Sequence, residues 1–247
     1  MPTYRLDLAY DGSGFHGYAR QPAVRTVQGV LEEALEPWTG GAPTYVAGRT
    51  DKGVHASEQV VSFTCDELDT DRVLKSLNTR LAPEVAARRL RQTAPGFHAR
   101  FSATGRAYRY RILNAPVHDP FRATVVWTYP APLDVPTMHD AAQCLVGEHD
   151  FAGFCRRQGD HSTVRALEWV AWHRRDERVD LSIGASSFCH QMVRSIVAVS
   201  VEIGRGRLDP GAMAEILASQ DRSRGKGAAP PGGLTLVAVS YGAERLP

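Results

Sequence analysis

The sequence predicts an α+β protein built from two halves of similar plan, and three observations carry that prediction. Apolar stretches of period two alternate with stripes of period 3.6 along the chain, the pattern of strands packed by helices. A length of 247 residues suits one large domain or two small ones. Hydrophobic content of 43% and charged content of 23% belong to a chain that buries its own core without staples.

Each element has a local reason. Tyr4, Leu6, Leu8 and Tyr10 alternate with Arg5, Asp7 and Ala9, a strand with one buried face. Thr26 is a fair N-cap for a helix with the stripe Val27, Val30, Leu31, Ala34 and Leu35, and Pro37 is expected to stop it. Strands are expected at 44–47 and 59–64, with a glycine-bounded loop, Gly48 to Gly53, between them. A helix at 69–81 turns Val73, Leu74, Leu77 and Leu81 inward, and a strand at 85–93 closes the half. The order is β-α-β-β-α-β, a ferredoxin-like split unit of about 95 residues. In the second half strands are expected at 106–113, 125–129, 164–173, 178–183 and 234–241, with helices at 134–146, 188–203 and 210–218. Stretches 156–161 and 222–233, rich in glycine, proline or charge, read as mobile loops. The halves join near Ala103, giving domains 1–103 and 104–247, and a cleft between two sheets is where a large ligand lies.

Charge is balanced overall and uneven locally. The net charge is +2, and the 29 basic residues are 26 Arg and 3 Lys. Between Glu84 and Asp119 there is no acid, yet Arg88, Arg89, Arg91, Arg100, Arg106, Arg109 and Arg111 fall there. Guanidinium groups bind phosphate through two donors and stack on flat rings, so this window suits a nucleic-acid backbone. The plainer reading is a genome that writes Arg for Lys and a solvated strand face. No apolar stretch approaches the roughly 18 residues of a membrane span. The richest, 188–203, is broken by His190, Gln191 and Arg194. The N-terminus lacks the apolar core of a signal peptide, so a cytoplasmic protein without membrane attachment is expected. The four cysteines, Cys65, Cys144, Cys155 and Cys189, lie far apart with no C-x-x-C, which suggests neither a disulfide framework nor a zinc ribbon.

Several motifs compete for the chemistry. Gly12-Ser-Gly14-Phe-His-Gly17 matches G-x-G-x-x-G after a strand, but Pro22 intervenes before the next helix, so a glycine-rich turn is the better reading. Glu148-His149-Asp150 with His161 and Cys155 offers metal-ligand types without ligand spacing, and no metal is expected. His190 reads as packed on an apolar helix. The remaining stretch, Ala47-Gly-Arg-Thr-Asp-Lys-Gly-Val-His-Ala56, is a tight loop between two strands. Its glycines permit close approach to a ligand. Its carboxylate, Asp51, stands between Arg49 and Lys52, cations that favour the charged form. An ionised carboxylate on a loop can attack a sugar carbon or take a proton, although Asp-x-Gly is also ordinary turn chemistry.

That decapeptide resembles the active-site loop of the tRNA pseudouridine synthase A family. Further resemblances run in family order: Tyr10-Asp-Gly-Ser-Gly14, Val24-Arg-Thr-Val-Gln28, Phe97-His-Ala-Arg-Phe-Ser-Ala-Thr104 leading to Tyr108-Arg-Tyr110, Gly147-Glu-His-Asp-Phe151, and Phe188-Cys-His-Gln-Met-Val-Arg194. They cover essentially the whole chain. Local departures are Tyr18-Ala19 where Trp-Gln is common, Lys52 for a frequent Ala and Cys189 for a Val. The resemblance implies two ferredoxin-like halves around a basic cleft, a homodimer gripping tRNA, and isomerisation of uridine to pseudouridine at positions 38, 39 and 40 of the anticodon stem-loop. That reaction needs no cofactor. By the same resemblance Asp51 is the nucleophile, attacking C1′ or removing the 2′ proton, and the target base is flipped out of its stack. Tyr108 packs on the flipped uracil or assists at its carbon 5, Arg194 pairs with Asp51, and Arg49 displaces the base or holds phosphate. An alternative strand register would turn Tyr110 inward in place of Tyr108. Two other classes stay open on the residues alone: a non-catalytic tandem RNA-binding module, whose aromatic signature is absent, and a glycosidase, which normally needs a second carboxylate.

Overall fold

The architecture was read from a computed structural model that describes residues 1–156, 159, 161–225, 227–242 and 246. Arg157, Gln158 and Asp160 of the expected 156–161 loop, and Lys226 of the expected 222–233 loop, lie outside the described residues. The chain is mixed α and β. In order it forms β1 (Thr3–Tyr10), α1 (Val27–Thr39), β2 (Tyr45–Val46), β3 (His55–Thr64), α2 (Thr70–Leu81), β4 (Val85–Gln92), β5 (Ala103–Leu113) and β6 (Trp127–Thr128). There follow α3 (Val135–Ala142), β7 (Gly147–Asp150), β8 (Val164–Arg175), β9 (Arg178–Ala185), α4 (Met192–Gly204), α5 (Ala212–Ser219) and β10 (Leu234–Tyr241). Among the described residues no helix is long and apolar enough to cross a membrane.

The chain divides into two compact units, Met1–Thr104 with Thr235–Pro247, and Gly105–Leu234. The sequence reading put the last strand with the second half. By contacts it groups with the first, where β10 pairs in parallel with β3, Thr235 opposite His55 and Leu236 opposite Ala56. Tyr241 strengthens that attachment: its hydroxyl donates to the Ala99 carbonyl at 2.8 Å, and the Arg5 guanidinium lies 4.7 Å from its ring centroid.

In the first unit β1 is central, antiparallel to β3 on one side and β4 on the other, and β2 pairs antiparallel with β3. Leu6 lies opposite Val61 and Leu90, so one face of the sheet is apolar. Leu6, Leu8, Leu31, Leu35, Val61, Val73 and Leu77 form the core, each 0 or 1% exposed. Thr26 caps α1 by accepting from the Gly29 amide. Pro37 does not stop α1, which runs to Thr39 and ends on Gly40 in the left-handed conformation. The proline removes a hydrogen bond only from Glu33, whose turn faces solvent, so water can replace the lost donor. Asp69 caps α2 by accepting from the Arg72 amide.

In the second unit the order is β7-β8-β9-β5, every neighbouring pair antiparallel, and β6 adds to β5 in parallel. Ile112, Met138, Leu145, Leu181, Ile183, Ile196 and Val199 are fully buried. The third helix is shorter than expected, ending at Ala142 and continuing as a single 3-10 turn, Gln143–Leu145. The fourth starts at Met192 and not at 188, because Gln191 adopts φ 65° and breaks the helical run. Cys155 and Cys189 correct the expectation of no disulfide: they are joined, with Cα atoms 5.8 Å apart. Thirty-four residues separate them in sequence, but folding back through β8 and β9 brings the two segments together, and the Arg156 amide donates to the His190 carbonyl at 2.9 Å.

Candidate active site

The loop carrying Asp51 is held from both ends and from beneath. Its entry is fixed where the Ala47 amide donates to the Val60 carbonyl at 2.8 Å, and its turn closes where the Val54 amide donates to the Asp51 carbonyl at 3.1 Å. Gly53, in that turn, has φ 77°, which a side chain would oppose. Beneath it the Tyr10 hydroxyl lies 2.8 Å from Thr50 Oγ1 and accepts from Gln59 Nε2 at 3.1 Å. Gln59 Nε2 also donates to the Gly48 carbonyl at 2.8 Å. Full burial pushes the Tyr10 phenol up to about 12, against the opposing pull of its bonds to Thr50 and Gln59, so it stays a neutral strut. Asp51 itself is half-buried and Arg49 is exposed. Among the described residues Arg49 makes no hydrogen bond or ion pair. Lys52 Nζ lies 3.2 Å from His16 Nε2.

The glycines of the 12–17 turn explain themselves here. A Cβ on Gly12 would stand 2.0 Å from the Val54 carbonyl oxygen, and one on Gly17, at φ 92°, 3.0 Å from that of Thr50. The Tyr18 amide donates to the same Thr50 carbonyl at 3.0 Å. Two glycines therefore let one loop lie directly on the backbone of the other, and the resemblance to a dinucleotide fingerprint is incidental. His55, 4% exposed, locks the exit: its Nδ1 lies 3.1 Å from both the Gly12 amide and Asp11 Oδ1. Neutral, that nitrogen accepts from Gly12; protonated, it donates to Asp11. Burial pulls the Asp11 carboxyl up, but bonds from Ser13 and the His55 ring outweigh it, and the net displacement is downward. His55 was not singled out from the sequence; the signal was a histidine four residues after the aspartate, at the start of a buried strand.

In the second unit Tyr108 sits on β5 opposite Ile183, 8% exposed, its ring edge-on to Phe188 with centroids 5.1 Å apart. Tyr110 shares its face. The alternative-register expectation is thereby corrected: residues two apart on a strand point the same way, so no slip exchanges 108 for 110. Tyr110 is structural. Its hydroxyl donates to the Pro230 carbonyl at 2.8 Å, a Cβ on Gly233 would stand 2.7 Å from its ring, and burial drives its phenol far up despite the nearby Arg194.

Arg194 opens α4 and is half-buried, so it is not a surface cation. Its Nε donates to the Ala229 carbonyl at 2.7 Å, and its own carbonyl accepts from the Ala229 amide at 3.0 Å. Arg222 Nη2 donates to Gln191 Oε1 at 2.7 Å. Burial lowers the Arg222 guanidinium, and Arg156 and Arg194 lower it further by like charge. Three guanidiniums, Arg156, Arg194 and Arg222, therefore stand close enough at the start of α4 to feel one another's charge. Arg156 and Arg222 escaped the sequence reading because each lies in a stretch that reads only as a charged loop.

The acid-free arginine window is divided between the two units. Arg88, Arg89 and Arg91 line β4 in the first unit, where Arg88 meets Glu58 at 3.0 Å and Arg89 meets Asp7 at 4.0 Å. Arg106 of the second unit is buried and donates to the Ser186 carbonyl at 2.9 Å. The 147–151 stretch is likewise structural: Asp150 Oδ1 accepts from the Ala152 amide and from Thr163 Oγ1, His149 Nε2 lies 3.1 Å from the Val146 carbonyl, and Phe151 is fully buried. Among the described residues no group of three or more His, Cys, Asp or Glu could hold a metal.

Comparison with known proteins agrees with this arrangement. Residues 8–102 and 141–242 match the sequence profile of a family described as tRNA pseudouridine synthase. The chain is 43% identical to the tRNA pseudouridine synthase A of Methylococcus capsulatus, over 97% of this chain and 89% of that protein. It is 43% identical to that of Acidiphilium cryptum, over 100% and 99%, and 45% identical to that of Frankia casuarinae, over 96% and 88%. With a glycine-bedded aspartate loop in its first unit and matches along both, the chain belongs to the tRNA pseudouridine synthases, enzymes of the isomerase class.

Proposed function

We propose that this protein converts uridine to pseudouridine at positions 38, 39 and 40 of the tRNA anticodon stem-loop, with Asp51 as nucleophile toward a flipped-out uridine. The observation that carries this is the Asp51 turn itself, a half-buried carboxylate on a backbone bedded on Gly12 and Gly17 and braced by Tyr10, Thr50 and Gln59. Such bracing prepositions one reactive group on a rigid element. The reaction balances without a redox partner: the N1–C1′ bond breaks, a C5–C1′ bond forms, the C5 proton leaves and N1 gains one. Asp51 supplies the electron pair that holds C1′ between the two bonds. Tyr108 packs on the uracil and serves its C5 proton, Arg194 pairs with the Asp51 carboxylate, and Arg49 contacts phosphate or fills the space the base vacates. The enzyme acts in the cytoplasm as a homodimer of two-part chains, each of two ferredoxin-like halves flanking a basic cleft. For the first half, the strand order β4-β1-β3-β2 with α1 and α2 supports that description.

Asp51→Asn tests the reading. The turn is closed by the residue-51 backbone carbonyl, which asparagine keeps, so the variant folds and binds tRNA. Tritium release from carbon-5-labelled uridine in tRNA is expected from the wild type and not from the variant. Product from Asp51→Asn would overturn the assignment of the nucleophile, and no product from the wild type would overturn the function.

A further inference from the structure

Three aromatic side chains of the first unit make a ladder that its own fold does not use. The Tyr45 and His98 ring centroids are 4.8 Å apart, and those of His98 and Phe101 4.4 Å, the planes inclined by 42° and 37°. Tyr45 is 48% exposed and Phe101 76%. The Arg100 guanidinium carbon lies 5.5 Å from the Phe101 centroid.

An exposed phenylalanine on a slack loop would carry no meaning, but this loop is not slack. His98 Nδ1 accepts from the amides of Arg100 at 3.1 Å and Phe101 at 3.4 Å. The His98 amide donates to Ser102 Oγ at 3.0 Å, and the Ser102 amide returns to the His98 carbonyl at 2.9 Å. The Ala99 amide donates to Ser62 Oγ of β3 at 3.0 Å, and its carbonyl accepts from Tyr241 of β10. Six hydrogen bonds therefore hold a large ring out in water, and an ordered apolar face of that kind is a prepared contact.

We propose that Tyr45, His98 and Phe101 form a stacking platform for an unpaired base of the bound tRNA, one other than the uridine that reacts, with Arg100, whose guanidinium lies over the Phe101 ring, for the adjoining phosphate. The proposal rests on the tRNA-modifying function given above. The occupant follows from the ring and charge together. A base has a π-face whatever its sequence, and guanidinium beside an aromatic ring suits a base with its phosphate.

The test measures tRNA affinity in the Asp51→Asn background, where no turnover occurs, with an unmodified tRNA transcript as the probe. Phe101→Ala is expected to weaken binding about 5- to 150-fold, the loss of one stacked base. Phe101→Tyr should restore it and Phe101→Leu should not, since leucine keeps apolar volume without a π-face. With Asp51 intact, Phe101→Ala should raise KM and leave kcat within about twofold. Sedimentation fixes the mass of each variant. Unchanged affinity for Phe101→Ala overturns the platform, as does rescue by leucine. A loss of affinity that follows a change in mass also overturns it, and assigns the ring to a contact between copies of the chain. Failure of the wild type to make pseudouridine would sink the proposed function; the binding measurements judge the platform separately.

Discussion

At the scale of single residues, the aspartate loop depends on groups with no reactive atom. Gly17→Ala puts a Cβ 3.0 Å from the Thr50 carbonyl at a φ that L-residues avoid, and Gly12→Ala forces a clash with Val54. Each should cost about 1–3 kcal/mol by urea titration. Activity should fall further than stability, because the displaced backbone is that of Asp51. The two tyrosines of β5 should separate cleanly. Tyr110→Phe removes the hydrogen bond to the Pro230 carbonyl and should lower stability by about 0.5–1.5 kcal/mol with little direct effect on the chemical step. Tyr108→Phe should, if its hydroxyl serves the C5 proton, cut the single-turnover rate by roughly 10²- to 10⁴-fold. A wild-type rate for Tyr108→Phe removes the hydroxyl from the mechanism. The aspartate was legible in the sequence because glycines and cations mark its loop. His55, Arg156 and Arg222 were not, since nothing in their immediate neighbours says what they will touch.

At the scale of elements, β4 carries the sharpest forecast. Its outward residues Arg88, Arg89 and Arg91 are the part of the acid-free window in the first unit's sheet, and two of them already lean on carboxylates. Binding to phosphate must compete with Glu58 and Asp7 for those guanidiniums. Replacing all three by Ala should therefore reduce the slope of log K against log salt by about one to two, below the roughly 2.7 expected if every one met a phosphate at about 0.9 each. An unchanged slope makes β4 a solvated face. Most strand and helix identities were legible because their periodicities are strong, but β7, four residues at Gly147–Asp150, is too short to show one. Ends were not. The first helix passes Pro37 because the unsatisfied carbonyl there faces water, and the fourth begins late because Gln191 is held left-handed, which neither local pattern announces.

At the scale of the whole molecule, stability should form a plateau with two edges. Hydrogen bonds lower the carboxyls of Glu32 and Asp11 against the upward pull of burial, and Arg25 lowers that of half-buried Glu84. A depressed carboxyl stabilises the fold above the ordinary carboxylate range and loses that contribution as pH falls through its folded value. Burial raises the phenols of Tyr10, to about 12, and Tyr18, so their contribution is complete below the ordinary phenol value and fades as pH climbs toward 12. Melting temperature followed by circular dichroism should thus be flat near neutrality and fall on both sides; a flat alkaline arm would mean the tyrosines are not sealed. The proposed homodimer would sediment at twice the 27.0 kDa of the chain, and a mass of 27.0 kDa would rule it out.

What the sequence determined by itself was local or repeated: most of the order of strands and helices, the cap at Thr26, the aspartate loop and the family. These depend on residues a few positions apart, where periodicity and turn chemistry act. Tertiary structure alone decided which distant segments meet. Only pairing with β3 shows that the last strand returns to the first unit. Only packing shows that Gly12 and Gly17 are bare because the aspartate loop lies on them, that Cys155 meets Cys189, and that the arginine window is split between two units. Contacts across thirty to two hundred residues leave no periodic trace in either partner, since each residue type there answers to a neighbour that the chain brings up from elsewhere.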